Sequence, residues 1–168
     1  MHVRVLGIDD APAFQEVRLR GLKESPSAFA SSYEEECSTP LAIVAERLAA
    51  KEGSAMFGAF EGEQLVGVVG LQQEQMRKLA HKAFIWGMYV APSARKRGVG
   101  QQLVIEALSF AGKNLRVRQV NLGVNANNTA AIALYRSLGF EEFGFERGFL
   151  LVEGELHDEI QMVRVLQK

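Results

Sequence analysis

The chain has a single cysteine, Cys37, so no internal disulfide can form, and Cys and His nowhere cluster at metal-ligand spacing. The start, Met1-His2-Val3-Arg4, lacks a basic segment followed by a long apolar stretch. Charged or polar residues interrupt every apolar run well before membrane-spanning length. Neither sign of charge dominates: 19 Lys and Arg against 20 Asp and Glu leave a formal net charge of -1, so no global field favours nucleic acid or an acidic membrane. Internal repeats, low-complexity tracts and linkers are also lacking. These absences lead us to expect a soluble protein in a reducing, cytoplasmic setting, with no metal and with neither nucleic acid nor membrane as partner. With 168 residues, 48% of them hydrophobic, residues 1–168 are expected to form one domain around a sizeable core.

What is there alternates between strand and helix patterns. Val3 to Leu6 reads as a short strand, and Phe14, Val17 and Gly21 give one face of a helix that Ser25-Pro26 stops. A loop is expected from Ser27 to Thr39, then a helix carrying Leu41, Val44, Ala45 and Leu48 just after Pro40. Ala55–Phe60 and Leu65–Leu71 flank a Glu61-Gly62-Glu63 turn and predict a hairpin. Ala83 to Val90, rich in aromatic and β-favouring residues, predicts a central strand. Val99, Leu103, Ala107 and Ala111 mark the next helix, Val117 to Val124 a strand, and Ala131, Leu134 and Leu138 a helix closed by Gly139. A hairpin around Glu153-Gly154-Glu155 ends the chain.

The segment Val90-Ala91-Pro92-Ser93-Ala94-Arg95-Lys96-Arg97-Gly98-Val99-Gly100-Gln101 joins a buried strand to an amphipathic helix. First-turn amides of a helix lack internal partners, and the dipole there favours negative charge. Gly98 and Gly100 remove side chains that would hinder an anion, and Arg95, Lys96 and Arg97 add positive charge, which suits a pyrophosphate. Taken alone, the same residues also describe an ordinary tight turn with solvated bases. A magnesium-nucleotide loop would end in Gly-Lys-Ser/Thr, and Gly98-Val99-Gly100-Gln101 does not. A dinucleotide fold would place a third glycine where Leu103 stands.

Arg95-x-x-Gly98-x-Gly100 resembles the R/Q-x-x-G-x-G/A motif of the GNAT (Gcn5-related) N-acetyltransferases, and Asn128-Thr129-Ala130-Ala131-Ile132-Ala133-Leu134-Tyr135 with Leu138-Gly139-Phe140 is similar to that family's C-terminal block. The strand and helix order from Val3 to Leu166 fits as well. The resemblance implies an α/β fold with a mixed, largely antiparallel central sheet and helices on both faces. It implies an acetyl-CoA-dependent N-acetyltransferase acting by direct transfer in a ternary complex, with acetyl-CoA as co-substrate and no metal. The partner is then an amine acceptor, small molecule or peptide, and a homodimer is compatible with this reading. Residue by residue, the backbone of Met88, Tyr89 and Val90 would pair with the pantetheine arm like an added strand. Amides from Lys96, Arg97, Gly98, Val99, Gly100 and Gln101 would hold the pyrophosphate, Asn128 would contact the cofactor from the other side, and Tyr135 would be the proton donor. Asn128 is equally well suited to cap the helix that follows it.

The pattern breaks at the base. Many relatives carry a glutamate where this sequence has Gly123 or Phe84, and neither can accept a proton. A water chain, an amine arriving deprotonated, or a distant group such as Glu34, Glu35, Glu36, His81, His157 or Asp158 stays open, although a solvated surface role is the commoner one for each of these residues. Tyr33 to Glu36, with three adjacent acids near Ala28-Phe29-Ala30, are expected to border the acceptor site and favour a cationic amine. Trp86 and Phe84 are read as core packing in preference to walls of an acyl pocket. The missing carboxylates also motivate a competing class, a non-catalytic acyl-CoA sensor, against which Tyr135 argues.

Overall fold

The computed structural model describes residues 1–166. One seven-stranded sheet runs in the order β1-β2-β3-β4-β5-β7-β6. Its strands are β1 His2–Val5, β2 Ser54–Glu61, β3 Gln64–Gln73, β4 Lys82–Val90, β5 Gln119–Asn125, β6 Glu141–Val152 and β7 Glu155–Val165. Only β4 and β5 pair in parallel, so the sheet is mixed and largely antiparallel as expected. The helices are α1 Ala11–Glu24, α2 Tyr33–Glu36, α3 Leu41–Leu48, α4 Val99–Lys113 and α5 Thr129–Ser137.

The sheet is covered on both faces because its strands carry apolar residues both ways. On one face, Val99, Leu103, Val104, Ala107 and Ala111 of α4 pack with Phe57, Val69, Leu71 and Val120. On the other, Phe14 and Val17 of α1 and Val44 and Leu48 of α3 pack with Met56, Leu65, Val68 and Tyr89. The segment read as a loop contains α2, because Ser32 and Glu35 form a capping box: the Glu35 amide donates to Ser32 Oγ (3.2 Å) and the Ser32 amide to Glu35 Oε2 (2.8 Å).

Two irregularities in β4 shape the site. Val68 pairs with Tyr89 and Gly70 with Trp86, so Gly87 and Met88 stand opposite Val69 alone. This is a β-bulge, and Gly87 takes it at φ +62°, a left-handed conformation that glycine adopts without steric cost. On its other edge β4 pairs with β5 only at Lys82↔Gln119, Ala83↔Val120 and Phe84↔Asn121. The two strands then part.

Leu103 is fully buried (0% exposed) where α4 meets the sheet. Leu103→Ala should lower stability by about 3 kcal/mol through lost burial and a residual cavity. Urea unfolding followed by circular dichroism measures it.

Candidate active site

Where β4 and β5 separate, a cavity of about 100 Å³ lies between them, lined by Gly87, Met88, Gly123, Asn128, Ala131 and Tyr135 among others. Tyr89 and Val90 pair with Val68 and Gly67 of β3. The Tyr89 side chain is committed to the α1 face: its hydroxyl donates to Glu24 Oε2 at 2.6 Å. Burial and then that carboxylate push its phenol up to about 12. Only the backbone of Tyr89 is thus available to a ligand in the wedge.

Beyond Val90 the chain turns into α4 through Lys96 (φ +59°) and Gly98 (φ +79°), the latter standing at the helix N-cap. Among the described residues no backbone amide from Lys96 to Gln101 donates to a backbone acceptor, and the first that does is Gln102, to the Gly98 carbonyl at 3.0 Å. Free donors at the positive end of a helix dipole are the arrangement that suits an anion. A Cβ at Gly98 would meet nothing within 4 Å, so the space above the turn is open. A Cβ at Gly100 would lie 3.0 Å from Met88 Cε and 3.2 Å from Leu134 Cδ2, so there the glycine permits close packing of α4 against β4 and α5.

The three bases of the turn divide in role. Arg95 Nε donates to the Val90 carbonyl at 2.8 Å and its guanidinium pairs with Glu24 at 3.4 Å, while Arg97 pairs with Glu61 at 2.8 Å. Both therefore brace the turn against α1 and β2. Lys96 makes no ion pair among the described residues.

Tyr135 is buried (5% exposed) with its ring edge-on to Phe140, at 5.7 Å between centroids. Burial pushes its phenol up to about 12, which keeps it protonated at neutral pH. Asn128 does cap α5: its Oδ1 accepts the Ala131 amide at 3.1 Å. Its side-chain NH₂ is left without a protein acceptor among the described residues.

A second cavity, about 490 Å³, opens on the α1 face and is lined by Arg18, Glu36, Trp86, His157, Asp158 and Glu159 among others. It shares Ala28, Ile85, Trp86, Gly87, Gly123 and Asn125 with the wedge, so the two spaces meet through the gap in the sheet. Arg18 (7% exposed) donates from Nε and Nη2 to the two carboxylate oxygens of Glu36 at 3.0 and 2.9 Å. Its Nη1 has no hydrogen-bond partner among the described residues. That atom lies 3.4 Å from where a Cβ on Gly87 would be, at the junction of the cavities. Burial alone would raise the Glu36 carboxyl, but the hydrogen bond and charge of Arg18, helped by Ser31 and Arg47, outweigh it and hold the group below its ordinary value.

Several expectations about this side need correction. Of the three adjacent acids only Glu36 lines the cavity, and it is tied to Arg18. Glu35 instead caps its own helix and does not line the cavity. Trp86 is 42% exposed, not core packing, because Gly70 opposite has no side chain and the indole lies against that space at the cavity mouth. Phe84 lines neither cavity but a separate depression with Lys51, Gln72 and Met76. Of the distant candidates for a base, Glu36, His157 and Asp158 line the larger cavity, and Glu34, Glu35 and His81 do not. Arg18 and Glu159 are among the lining residues that carried no functional reading from sequence. Arg18 had a visible signal: it sits at i+4 from Phe14, a charge on the apolar stripe of α1. Glu159 had none, since its position depends on strand register.

An anion-holding turn beside one cavity, joined through a parted strand pair to a second cavity rich in charge, has the form of a two-substrate group-transfer site. The model of the acetyltransferase (GNAT) family matches residues 20–140. The L-amino acid N-acetyltransferase AaaT of Escherichia coli is 32% identical over 120 residues, 71% of this chain and 74% of that protein. The N-alpha-acetyltransferase RimI of Mycobacterium tuberculosis is 37% identical over 97 residues, 58% of each. Among solved structures, YncA of Salmonella typhimurium, a putative acetyltransferase solved with its cofactor acetyl-CoA, superposes with a TM-score of 0.87 at 18% identity, covering 100% of this chain and 95% of that one. The chain belongs to the GNAT acetyltransferase family.

The Arg18–Glu36 pair gives a pH test. A depressed carboxylate contributes stability that is present above its unfolded value, near 4.5, and is lost as pH falls through its folded value. Glu36→Gln leaves a buried guanidinium unpaired and should cost about 3 kcal/mol at neutral pH. The difference from the native chain should shrink in acid. Chemical unfolding of both proteins at neutral and acid pH measures it.

Proposed function

We propose that the chain transfers the acetyl group of acetyl-CoA directly to a primary amine, the two substrates meeting at the gap between β4 and β5. The observation that carries this reading is the junction itself: Gly87 and Gly123 line both cavities, with Tyr135 on the donor side and the charged groups on the other. The residues present suit coenzyme A. The open space above Gly98 and the unpartnered amides from Lys96 to Gln101 suit a pyrophosphate, with Lys96 as the unpaired cation. The edge of β4 at Met88, Tyr89 and Val90 lacks a β5 partner, which suits strand-like pairing with an amide-bearing arm. The free NH₂ of Asn128 suits a carbonyl of the same arm. A backbone amide near Val90 would polarise the thioester carbonyl.

Tyr135 then holds its proton at working pH and delivers it to the departing sulfur. Full transfer from a phenol near 12 to a thiolate of ordinary basicity is uphill, so Tyr135 acts best as a relay, giving one proton to sulfur while taking one from the attacking nitrogen. These roles favour an enzyme over a silent acyl-CoA sensor.

The acceptor enters from the α1 face. An unmet buried donor costs about 1–3 kcal/mol, and Arg18 Nη1 is such a donor beside Gly87, close to where the amine must lie. It favours an acceptor whose amine has a carboxylate or carbonyl oxygen on the adjacent carbon, an α-amine. That the relatives include an N-alpha-acetyltransferase and an L-amino acid N-acetyltransferase supports the same class.

Two measurements test the reading. Gly98→Glu should weaken coenzyme A binding at least about tenfold relative to Gly98→Ala, which shares the strained φ but not the charge, by calorimetric titration. Equal affinities would remove the pyrophosphate from this turn. In a thiol-release assay, α-amino acids or peptide N-termini should be used in preference to amines lacking the neighbouring oxygen, and Tyr135→Phe should lower kcat by about 100-fold. Coenzyme A binding with no thiol release for any amine would favour the sensor.

A further inference from the structure

Acetyl transfer to an ammonium needs a group that removes a proton, and the two positions where the family resemblance leads one to expect a glutamate hold Gly123 and Phe84. The carboxylates lining the acceptor cavity are those of Glu36, Asp158 and Glu159. Glu36 spends both oxygens on Arg18. Asp158 accepts the Gly148 amide at 2.8 Å, where it holds a bend of β6. Glu159 is different. It stands on β7 opposite Asn125, and Gly123 is opposite Gln161, so Glu159 is the diagonal neighbour of Gly123 on one face of the sheet. A Cβ built on Gly123 would collide with the Glu159 carboxyl, 2.5 Å from its Cδ and 2.9 Å from Oε2. The carboxyl therefore occupies the volume that a side chain at position 123 would take, at the junction of the two cavities. Its Oε1 accepts the Gln161 side-chain amide at 2.8 Å, which fixes the rotamer, and its Oε2 has no protein hydrogen bond among the described residues.

We infer that Glu159 is the general base of this site, delivered from β7 into the space above Gly123 in place of a carboxylate on β5. The inference rests on the acetyltransferase reading of the site. The ammonium N–H bond breaks, its proton goes to a Glu159 oxygen, and its electron pair becomes the amine lone pair. That pair forms the C–N bond to the acetyl carbonyl carbon, and the C–S bond breaks with its pair going to sulfur. Sulfur takes the Tyr135 phenol proton, and the second proton shed by nitrogen restores the phenol. The proton on Glu159 passes to solvent as the single net proton of the reaction.

The surroundings suit the task. Burial raises the Glu159 carboxyl, the Gln161 hydrogen bond opposes this, and the charge of Glu146, directly across on β6, raises it again, so the group sits above its ordinary value and is a stronger base. The other charged or titratable groups facing the cavity are Arg18 of α1, Glu36 of α2, Arg47 beyond it on α3, and His157 and Asp158 of β7.

Glu159→Gln keeps the shape and removes the base. Acceptor kcat/KM at neutral pH should fall by about 100-fold while coenzyme A affinity, read by calorimetry, stays within about twofold. The deficit should shrink as pH rises past the amine's own pKa, where the acceptor arrives already neutral. A structural role would leave it constant. A second variant tests place: Gly123→Glu combined with Glu159→Gly should recover at least about tenfold over Glu159→Gly alone. Activity of Glu159→Gln within about threefold of the native chain, or a deficit equal at every pH, would overturn the assignment. If the native chain releases no thiol with any amine, the acetyltransferase reading itself fails. Native turnover with an unaffected Glu159→Gln fails the base alone.

Discussion

The parting of two parallel strands is the constraint on which the rest of this molecule depends. β4 and β5 pair at three positions and then separate, and the bulge that sets Gly87 and Met88 against Val69 bends β4 at the point of separation. An unpaired strand edge buried in a sheet is costly, because its amides and carbonyls have no partner. Here the edge faces a cavity, so the fold leaves backbone hydrogen-bonding capacity available to a ligand. The same gap joins the two faces of the sheet, which α1 and α3 on one side and α4 on the other otherwise keep apart as separate cores.

The division of labour follows from that geometry. The α4 face carries the anion-holding turn, the Asn128 cap and Tyr135. The α1 face carries Arg18, Glu36, Trp86 and the β7 residues His157, Asp158 and Glu159. In the proposed reaction the donor and the acceptor approach from opposite faces and meet at this junction, where Gly87 and Gly123 line both cavities. Both glycines suit the junction for different reasons: Gly87 because its backbone is left-handed, Gly123 because another residue's carboxyl fills its side-chain volume. The bases of the turn show a related economy. Arg95 and Arg97 brace it through Glu24 and Glu61, so the proposed anion contacts fall to the backbone amides and Lys96.

Features encoded by neighbouring residues were legible in the sequence. The alternation of strands and helices, the glycine turn, and the Asn128 to Phe140 block all depend on local periodicity, caps and turns, and the family resemblance that they carry implied the sheet with helices on both faces. The short helix α2 was legible too, since Ser32 and Glu35 have capping-box spacing, but its brevity hid it inside a loop. Arg18 was half-visible, as a charge at an apolar helix position. Glu159 was not visible, because its place beside Gly123 requires the register of β7 on β5, and no residue adjacent in sequence reports it. The misreading of Trp86 has the same origin: its exposure depends on its pairing with Gly70.

The central claim is that coenzyme A lies along the β4 edge with its pyrophosphate on the α4 N-terminus. Amide hydrogen exchange of the native chain, with and without coenzyme A, tests this most directly. The account expects slowed exchange at the amides from Lys96 to Gln101 and along β4 from Met88 to Val90, with little change in the β2–β3 hairpin. Protection confined to other segments, or none at saturating coenzyme A, would contradict it.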